Sequence, residues 1–522
     1  MDNKNSGSIL GFIEKFGNKL PNPTMLFVYL SVITILLSFV LEGLGVGVSY
    51  QAIKDGQISQ LSANVVNLLS ADSIRTFVSS MLKNFTGFYP LGVVFAIILG
   101  IGVADKAGLL SALVKKIALN SSKKWVTPIV IFLGVMSNVA SSVGYVVLIP
   151  LGAILFAGFG RHPIAGLAAA FAGVSGGWSA NLLIGTNDPM FAAFSTQAAS
   201  VLNPDYVVLA TANWYFMIAS TFLIVIVGSF VTDRIVEPRL GKFSFEGALN
   251  LGERGEISAE QKRGLKFALI ASVIFMVLLL TALLPSNSLF GAKEGESFTK
   301  SVFMHSIIIF MMLFFIVAGA AYGVGAGTIK NSGDAVKFME QAVAELSGFL
   351  VLIFFAAQFT YLFNASNIGL VLSIKGSVFL KDIGLTGLIL IIVFIVVIAF
   401  INLFIAVDSA KWAMMAPIFV PMFMNLGLSP ELTQAAFRIG DSTTNIITPL
   451  MPFFVLIVAF MQRYDRGLKI GSVVSIMLPY TVAFLLSWAV LMSVWYAFDL
   501  PLGPGAVIHY LKSKINFKKE EK

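Results

Sequence analysis

The sequence has no cysteine, only three histidines and little charge. Without cysteine there can be no disulfide framework, no thiol nucleophile and no thiolate ligand for zinc or an iron–sulfur cluster. His162, His305 and His509 lie far apart in the sequence, so a histidine metal centre is not expected. Charged residues make up 12% of the chain and hydrophobic residues 57%, whereas soluble proteins carry about 25% charged residues. The chain is therefore predicted to be an integral membrane protein.

The net charge of +8 does not indicate a nucleic-acid partner. The basic residues fall in short segments between apolar runs, where they orient a membrane protein. The N-terminus begins with polar residues, and no small-residue cleavage site follows the first apolar run. That run is therefore predicted to remain as a membrane helix.

Seven apolar runs are long enough to cross a membrane, which requires roughly 20 residues. Each is bounded by charge, proline or glycine. They lie near 24–42, 88–104, 213–232, 266–284, 303–322, 346–363 and 472–496.

Two further apolar regions, 125–196 and 385–461, are interrupted by polar and glycine-rich segments. Such backbone is tolerated at membrane depth only where protein or a water-filled cavity satisfies its hydrogen bonds. The same spacing separates a serine from a proline in SVGYVVLIP of the first region and SAKWAMMAP of the second. We therefore predict two copies of one unit, each a helical hairpin with a polar tip followed by a helix broken in its middle.

The predicted fold is an all-α polytopic membrane protein with nine transmembrane helices and two opposed re-entrant helical hairpins, arranged as inverted repeats with broken helices. The Lys- and Arg-rich loops 105–124 and 233–266 are expected in the cytoplasm, and the N-terminus with them. One hairpin then enters from each side, and the tail falls outside although it is basic. The organisation in chain order is an N-terminal helix with an outside loop (1–87), repeat 1 (88–232), a cytoplasmic loop with two scaffold helices (233–345), repeat 2 (346–496) and the tail (497–522).

Five ionisable residues fall at membrane depth, namely Asp188, Asp408, Lys411, Arg438 and Asp441. Each costs about 2.5–3.5 kcal/mol to insert, so each needs a reason to be there. Asp408 and Lys411, like Arg438 and Asp441, are three residues apart, which places opposite charges on one helix face. The pairs could neutralise each other as structural ion pairs. Alternatively, the acids exchange protons or help to bind Na⁺, while the bases receive a substrate carboxylate.

Oxygen-bearing side chains cluster where the second broken helix is interrupted. Hydroxyls, a carboxamide and freed backbone carbonyls suit a small cation such as Na⁺, although Ser/Thr contacts between membrane helices are also common. The recurrence of polar residues at the first break favours a functional role. The cluster comprises Asp441, Ser442, Thr443, Thr444 and Asn445, and its weaker counterpart comprises Ser175, Ser179 and Asn181. Trp412, close to the predicted tip of the second hairpin, could stack on an aromatic substrate or pack the hairpin.

The chain resembles the aminobenzoyl-glutamate transporter (AbgT) family over essentially its whole length. The motifs that carry the resemblance are GNKLPNPTMLFVYL, FTGFYPLGVV, GRHPIAGLAAAFAGVSGG, NWYFMIAS, DRIVEPRLG, SAKWAMMAPIFVPMF, FRIGDSTTNIITPLMPFF and PLGPG. The resemblance implies a homodimer in the bacterial inner membrane with nine crossings per subunit. It also implies uptake of p-aminobenzoyl-glutamate, or export of p-aminobenzoate-like sulfonamide antimetabolites, driven by a proton or Na⁺ gradient.

Carried over by motif, the family's substrate path falls on Asp188, Ser409, Trp412, Pro430, Asp441 and Pro449, with Arg438 and Asn445 in the same stretch. With the residues argued from chemistry, the predicted substrate-binding set is Asp188, Asn181, Ser409, Lys411, Trp412, Arg438, Asp441, Ser442, Asn445 and Pro449. The predicted ion-coupling set is Asp188, Asp408, Asp441, Ser442, Thr444, Asn445 and Ser142.

Two positions depart from the family pattern. Ser142 stands at the first hairpin tip where relatives carry an aspartate, and Asp408 stands at the second tip where small residues are usual. We interpret this as an acid that has moved from one repeat to the other.

The predicted function is secondary active transport of an aromatic carboxylate such as p-aminobenzoyl-glutamate, or alternatively export of sulfonamides and p-aminobenzoate. The expected partners are this small molecule, membrane lipid and a second copy of the chain, with no cofactor beyond a coupling H⁺ or Na⁺. A gated channel is a third interpretation, which exchange-stimulated uptake would exclude. An enzyme is not expected, because no HExxH motif is present.

Overall fold

The structure is a computed structural model of the 522-residue chain. It describes residues 23–510 except 55–56, 120–121, 141–143, 242, 244–256, 285–287, 294–295, 297 and 299–300. The predicted site residue Ser142 therefore lies outside the described residues. The basic residues of the tail lie outside them too, so the side of the membrane on which the tail lies stays a prediction.

Seven helices of the described residues are long and apolar enough to cross a membrane, as the sequence predicts. The largest difference is at the predicted run 266–284, whose helix begins at Ala259. Ser258 and Gln261 form a capping box that starts this helix within a charged segment, ahead of its apolar part. The seven helices are Pro23–Gly43, Tyr89–Lys106, Trp214–Val231, Ala259–Thr281, Ile307–Ala326, Ser347–Ala365 and Ile470–Ala497.

The first interrupted region folds into a helical hairpin and a broken helix. Hairpin 1 runs down Val126–Ser137 and a 3-10 turn, Asn138–Ala140, and returns through a π-helical turn, Gly144–Leu148, into Ile149–Gly158. Broken helix 1 consists of Pro163–Phe171 with a π-helical extension, Ala172–Gly176, an irregular break and the helix Asn187–Ala199.

The second interrupted region repeats this arrangement. Hairpin 2 has the arms Gly387–Asn402 and Asp408–Asn425. Broken helix 2 has the halves Pro430–Thr444 and Phe454–Gln462. Among the described residues, the seven simple spans and the two broken helices make nine crossings. The predicted fold of inverted repeats with two re-entrant hairpins is confirmed.

Glycine allows hairpin 1 to approach broken helix 1 at backbone contact distance. A Cβ atom added to Gly152 would lie 2.6 Å from the carbonyl oxygen of Gly166, and one added to Gly134 would lie 2.8 Å from the backbone of Gly173. Small residues drive membrane helices together in this way because close backbones gain van der Waals contact. Hairpin 1 is thus packed backbone to backbone against broken helix 1.

Several elements lack a long apolar run and do not follow from the search for membrane spans. Gly47–Lys54 and Gln57–Asn64 pair as an antiparallel two-stranded sheet within the predicted outside loop. The helix Ile368–Asp382 meets the first arm of hairpin 2 at 116°. The remaining helices are Ala71–Thr86, Leu109–Leu119, Glu237–Leu240, Val302–His305 and Ser332–Glu345. The helix Glu237–Leu240 follows the π-helical turn Thr232–Val236.

Candidate functional site

Two buried ion pairs lie where hairpin 2 and the two broken helices meet. Lys411 Nζ lies 2.6 Å from Asp441 Oδ1, and both side chains are 0% exposed. A guanidinium nitrogen of Arg438 lies 2.6 Å from Asp188 Oδ1, and these side chains are 5% and 3% exposed. Buried charges are tolerated when they are paired in this way.

The pairing predicted from spacing, in which Asp408 would neutralise Lys411 and Arg438 would neutralise Asp441, is wrong. Lys411 in hairpin 2 instead reaches across to Asp441 in broken helix 2, and Arg438 in broken helix 2 reaches Asp188 in broken helix 1. Helical spacing brings two residues to one face, but packing decides which facing element supplies the closer partner. The second pair therefore joins the two repeats.

Asn402, at the end of the first arm of hairpin 2, organises the Lys411 pair. Its amide nitrogen lies 2.6 Å from the carbonyl oxygen of Asp441, 2.9 Å from Thr444 Oγ1 and 2.8 Å from Asn445 Oδ1. Its own carbonyl oxygen accepts a hydrogen bond from Lys411 Nζ. The oxygens that the sequence suggested for Na⁺ are thus engaged by an amide, with a lysine ammonium beside them.

The ammonium group of Lys411 is surrounded by oxygen atoms. It contacts Asp441 Oδ1 and Asn402 Oδ1, and it donates a 3.0 Å hydrogen bond to the carbonyl oxygen of Ile405. Carboxylate, carboxamide and backbone carbonyl oxygens also favour a bound alkali cation. In this conformation Lys411 supplies the positive charge of the site from the chain itself.

Asp408 is an acid without a basic partner among the described residues. Its Oδ2 atom accepts hydrogen bonds from Trp178 Nε1 at 2.8 Å and from Asn187 Nδ2 at 3.2 Å. Both donors belong to the break or second half of broken helix 1. The tip of hairpin 2 is therefore fastened to the opposite repeat by neutral donors.

Ser442, in the last turn of the first half of broken helix 2, contacts the break of broken helix 1. The backbone amide of Ser179 donates a 3.1 Å hydrogen bond to Ser442 Oγ, which itself donates to the carbonyl oxygen of Arg438 at 2.8 Å. The predicted residue Asn181 donates to the carbonyl oxygen of Val135 in hairpin 1. These polar residues therefore join the breaks and the hairpins to one another.

Trp412 is 0% exposed and packs inside the protein in this conformation. Its Nε1 atom donates to Ser195 Oγ at 3.1 Å, and its ring lies 4.5 Å from that of Phe437. Of the two alternatives, packing the hairpin describes this closed arrangement. An aromatic substrate would reach the indole only after the surrounding helices separate.

The two prolines implied by the resemblance frame broken helix 2. Pro430 is the first residue of its first half, where a missing backbone N–H costs nothing. Pro449 lies half-buried in the break between the halves. Ser409 is buried in the first turn of the second arm of hairpin 2, next to Asp408.

Among the described residues, repeat 1 contains a matching amide but no counterpart of the ion pair between Lys411 and Asp441. Asn138 Nδ2 donates to the carbonyl oxygen of Gly177 at 3.2 Å, and these residues are 39 positions apart, like Asn402 and Asp441. Gly177 thus stands where repeat 2 has Asp441. Gly144, two residues after Ser142, stands where repeat 2 has Lys411, two residues after Ser409. Asn138 Oδ1 has no hydrogen-bond donor among the described residues.

The sequence does not identify Asn402 as a site residue, because it is the last residue of an uninterrupted apolar run, GLILIIVFIVVIAFIN. Asn138 lies in the polar tip SNVASS that the sequence does show. An isolated asparagine at the end of an apolar arm, with a polar cluster one broken helix further on, is the signal that could have identified Asn402.

Comparisons with known proteins agree on a single family. A family model described as "AbgT putative transporter family" matches residues 8–510. The p-aminobenzoyl-glutamate transport protein of Escherichia coli (strain K12) is 38% identical over 501 residues, which cover 96% of this chain and 97% of that protein.

Two solved structures are similar over nearly the whole chain. The MtrF structure of Neisseria gonorrhoeae, described as illuminating a class of antimetabolite efflux pumps, has a TM-score of 0.89 at 44% identity and covers 95% of this chain and 99% of its own. The YdaH transporter structure of Alcanivorax borkumensis, described as having an unusual topology, has a TM-score of 0.85 at 41% identity and covers 93% and 100%.

Proposed function

Because this chain belongs to the AbgT family of membrane transporters, we propose that it is a secondary active transporter of p-aminobenzoyl-glutamate, or a related p-aminobenzoate-like compound, coupled to a proton gradient. The observation that carries this proposal is the pairing of two buried bases with two buried acids at the meeting point of the repeats. A benzoyl-glutamate has two carboxylates, which matches two bases.

Coupling to protons follows from the chemistry of these pairs. A substrate carboxylate that binds Lys411 displaces Asp441, and one that binds Arg438 displaces Asp188. A buried carboxylate that loses its cationic partner is strongly disfavoured and takes up a proton instead. Substrate and proton would then bind together, and the direction of net transport would follow the gradients.

The position of Lys411 also bears on the choice of coupling ion. The oxygens of the 441–445 segment already accept hydrogen bonds from Asn402, and the lysine ammonium lies among the atoms that would hold Na⁺. This favours H⁺ over Na⁺ at repeat 2. Na⁺ is supported by a different observation, because Asn138 Oδ1 and Ser179 Oγ in repeat 1 are buried oxygens with no partner among the described residues.

The test is uptake of radiolabelled p-aminobenzoyl-glutamate into liposomes that contain the purified protein, with proton and Na⁺ gradients imposed separately. We expect uptake under the proton gradient alone. Uptake that requires Na⁺ would contradict proton coupling and direct attention to repeat 1. Exchange-stimulated uptake should also occur, and its absence alongside passive flux would indicate a channel.

Two substitutions link the measurement to the site. Asp441→Ala and Asp188→Ala should each abolish uptake while the protein still reaches the membrane. Glu340→Ala, which removes an exposed acid on the helix Ser332–Glu345, is the matched control and should transport normally. Normal flux in either core variant would remove that residue from the mechanism.

Export of sulfonamide antimetabolites is a second candidate, favoured by the 44% identity to a protein described as one of a class of antimetabolite efflux pumps. Two bases fit a neutral sulfonamide less well than a dicarboxylate. Sulfonamide counterflow in the same liposomes, together with no p-aminobenzoyl-glutamate uptake under either gradient, would support export instead.

The proposal includes a homodimer in the bacterial inner membrane, which the family resemblance implies. The mass of the detergent-solubilised particle, corrected for bound detergent, would test the dimer. A monomeric mass with full transport activity would show that one subunit is sufficient.

A further inference from the structure

A third buried acid lies in broken helix 2, apart from the two ion pairs. Glu431 is 5% exposed and occupies the first turn of Pro430–Thr444, whereas Asp441 is near the other end of that helix. Ten residues of helix separate the two acids by about 15 Å. No Lys, Arg or His among the described residues forms an ion pair with Glu431.

The carboxyl group of Glu431 is covered by a tyrosine from the segment between broken helix 1 and the next span. The hydroxyl of Tyr206 lies 2.9 Å from Oε2 and 3.1 Å from Oε1. Asn213 in the same segment donates to the backbone carbonyl of Glu431 at 2.9 Å. The ring of Tyr510 packs against Tyr206 with centroids 5.7 Å apart. Distribution of Lys and Arg places this segment outside the cell.

Burial without a cationic partner favours a protonated carboxyl group at Glu431. A phenol has one proton to donate, yet both carboxyl oxygens lie within hydrogen-bond distance of the Tyr206 hydroxyl. A protonated Glu431 satisfies both contacts, because one oxygen donates to the phenol and the other accepts from it. The Ser429 hydroxyl and the backbone amide of Glu431 are further donors that stabilise an ionised carboxylate, but neutral donors do so less than a cation would.

The positive end of the helix dipole is the alternative reason for an acid in this position. That effect is modest even for partly buried groups, and it is smaller than the cost of burying an unpaired carboxylate. The helix dipole alone therefore does not account for Glu431 at this depth.

Among the described residues, no charge faces Glu431 from the helices packed against broken helix 2. Gly387–Asn402 and Ile470–Ala497 contain no charged residue. In Asp408–Asn425 and Asn187–Ala199 the charges lie in the first turn, beside the ion pairs. Asp205, next to Tyr206, is exposed, and His509 lies 3.7 Å from Asp499.

We propose that Glu431 is a proton-binding site at the outside end of broken helix 2, protonated while Tyr206 covers it and ionised when that cover lifts and water enters. Its protonation does not depend on the proposed transport function, but its role in coupling rests on that function. Proton binding at Glu431 would hold the outside segment closed over the core. Asp441, near the other end of the same helix, would respond to substrate binding.

Infrared difference spectroscopy of the protein in lipid tests the protonation directly. A buried protonated carboxyl group has a carbonyl stretching band, sensitive to H/D exchange, that an ionised carboxylate lacks. Glu431→Gln should remove one such band from the wild-type spectrum, and the exposed-acid control Glu340→Gln should remove none. An unchanged band in Glu431→Gln would show that Glu431 is ionised and would overturn the proposal.

Tyr206→Phe is the second variant, and it keeps the test decisive if Glu431→Gln does not fold. Loss of the phenol removes one hydrogen bond from each side of the carboxyl group, so the band should shift while remaining present. A spectrum identical to that of the wild type would contradict the assignment of the band to Glu431.

The role in coupling is tested separately by transport. Glu431→Gln imitates the protonated acid, so exchange of substrate should continue while stimulation by the proton gradient falls to about onefold. Stimulation equal to that of the wild type would exclude Glu431 from coupling. If the wild-type protein itself shows no proton-driven uptake, the proposed function fails, and the infrared result still decides the protonation of Glu431.

Discussion

Repeat 1 and repeat 2 share a hydrogen bond but differ in charge. In each, an asparagine at the hairpin tip donates to a backbone carbonyl in the broken helix, Asn138 to Gly177 and Asn402 to Asp441. Repeat 2 adds the buried ion pair of Lys411 with Asp441, which has no counterpart among the described residues of repeat 1. The shared hydrogen bond is therefore a feature of the scaffold, whereas the buried ion pair is specific to repeat 2.

The largest expected effect comes from breaking the ion pair that distinguishes repeat 2. Asp441→Ala leaves Lys411 buried without a carboxylate, which should lower the free energy of unfolding by about 3–5 kcal/mol and abolish transport. Thermal unfolding in detergent and uptake in liposomes measure the two effects.

A double substitution separates stability from function at the same site. Lys411→Met with Asp441→Leu replaces both charges by apolar groups, so stability should return close to that of the wild type while transport stays lost. Transport by the double variant would mean that the ion pair serves only structure.

The shared hydrogen bond should also be unequal in its consequences. Asn402→Ala removes the donor to three oxygens and an acceptor of Lys411, so we expect a loss of about 3 kcal/mol, against about 1 kcal/mol for Asn138→Ala. Chemical or thermal unfolding of both variants provides the comparison. Equal losses would show that the scaffold bond dominates in both repeats.

Glycine in repeat 1 can be tested by adding a single methyl group. A Cβ atom at Gly177 would lie 2.6 Å from the carbonyl oxygen of Gly173 and 2.7 Å from the side chain of Val135. Gly177→Ala should therefore destabilise the protein by about 1–3 kcal/mol through overpacking. Wild-type stability would mean that repeat 1 has room for a side chain where repeat 2 has Asp441.

A small effect on stability is also expected at Asp408, which is held by Trp178 and Asn187 and by no base among the described residues. Asp408→Asn keeps an oxygen that can accept from Trp178, so the loss should stay below about 1.5 kcal/mol. If an acid has moved to this tip from repeat 1, ion coupling should nevertheless change. Normal ion-coupled uptake in Asp408→Asn would exclude that interpretation.

Much of the fold could be predicted because a helix that crosses a membrane needs a long apolar run, which is visible in the sequence. Run length identified the seven simple spans. Polar interruptions identified the two hairpins, whose described arms are Val126–Ser137 with Ile149–Gly158 and Gly387–Asn402 with Asp408–Asn425. Helices such as Ala71–Thr86 and Ser332–Glu345 were not predicted, because the search required long apolar runs and these helices have polar faces and low overall hydropathy.

The pairing of charges could not be predicted in the same way. Spacing along one helix suggested Arg438 with Asp441, but Arg438 pairs with Asp188, about half the chain away in the sequence. Buried charges select partners by the packing of whole elements, which local spacing does not encode. Asn402 and Glu431 were missed for a related reason, since their importance depends on what faces them.

Pairing of the two buried bases with two buried acids has an electrical consequence. The charges of Asp188, Lys411, Arg438 and Asp441 sum to zero, so moving these groups together through the membrane transfers no net charge. A potential of 100 mV, worth about 2.3 kcal/mol per elementary charge, would then act on the substrate and its accompanying ion and leave these four groups unaffected. The voltage dependence of transport would accordingly reflect the charge of the cargo and of groups outside this set, such as Asp408.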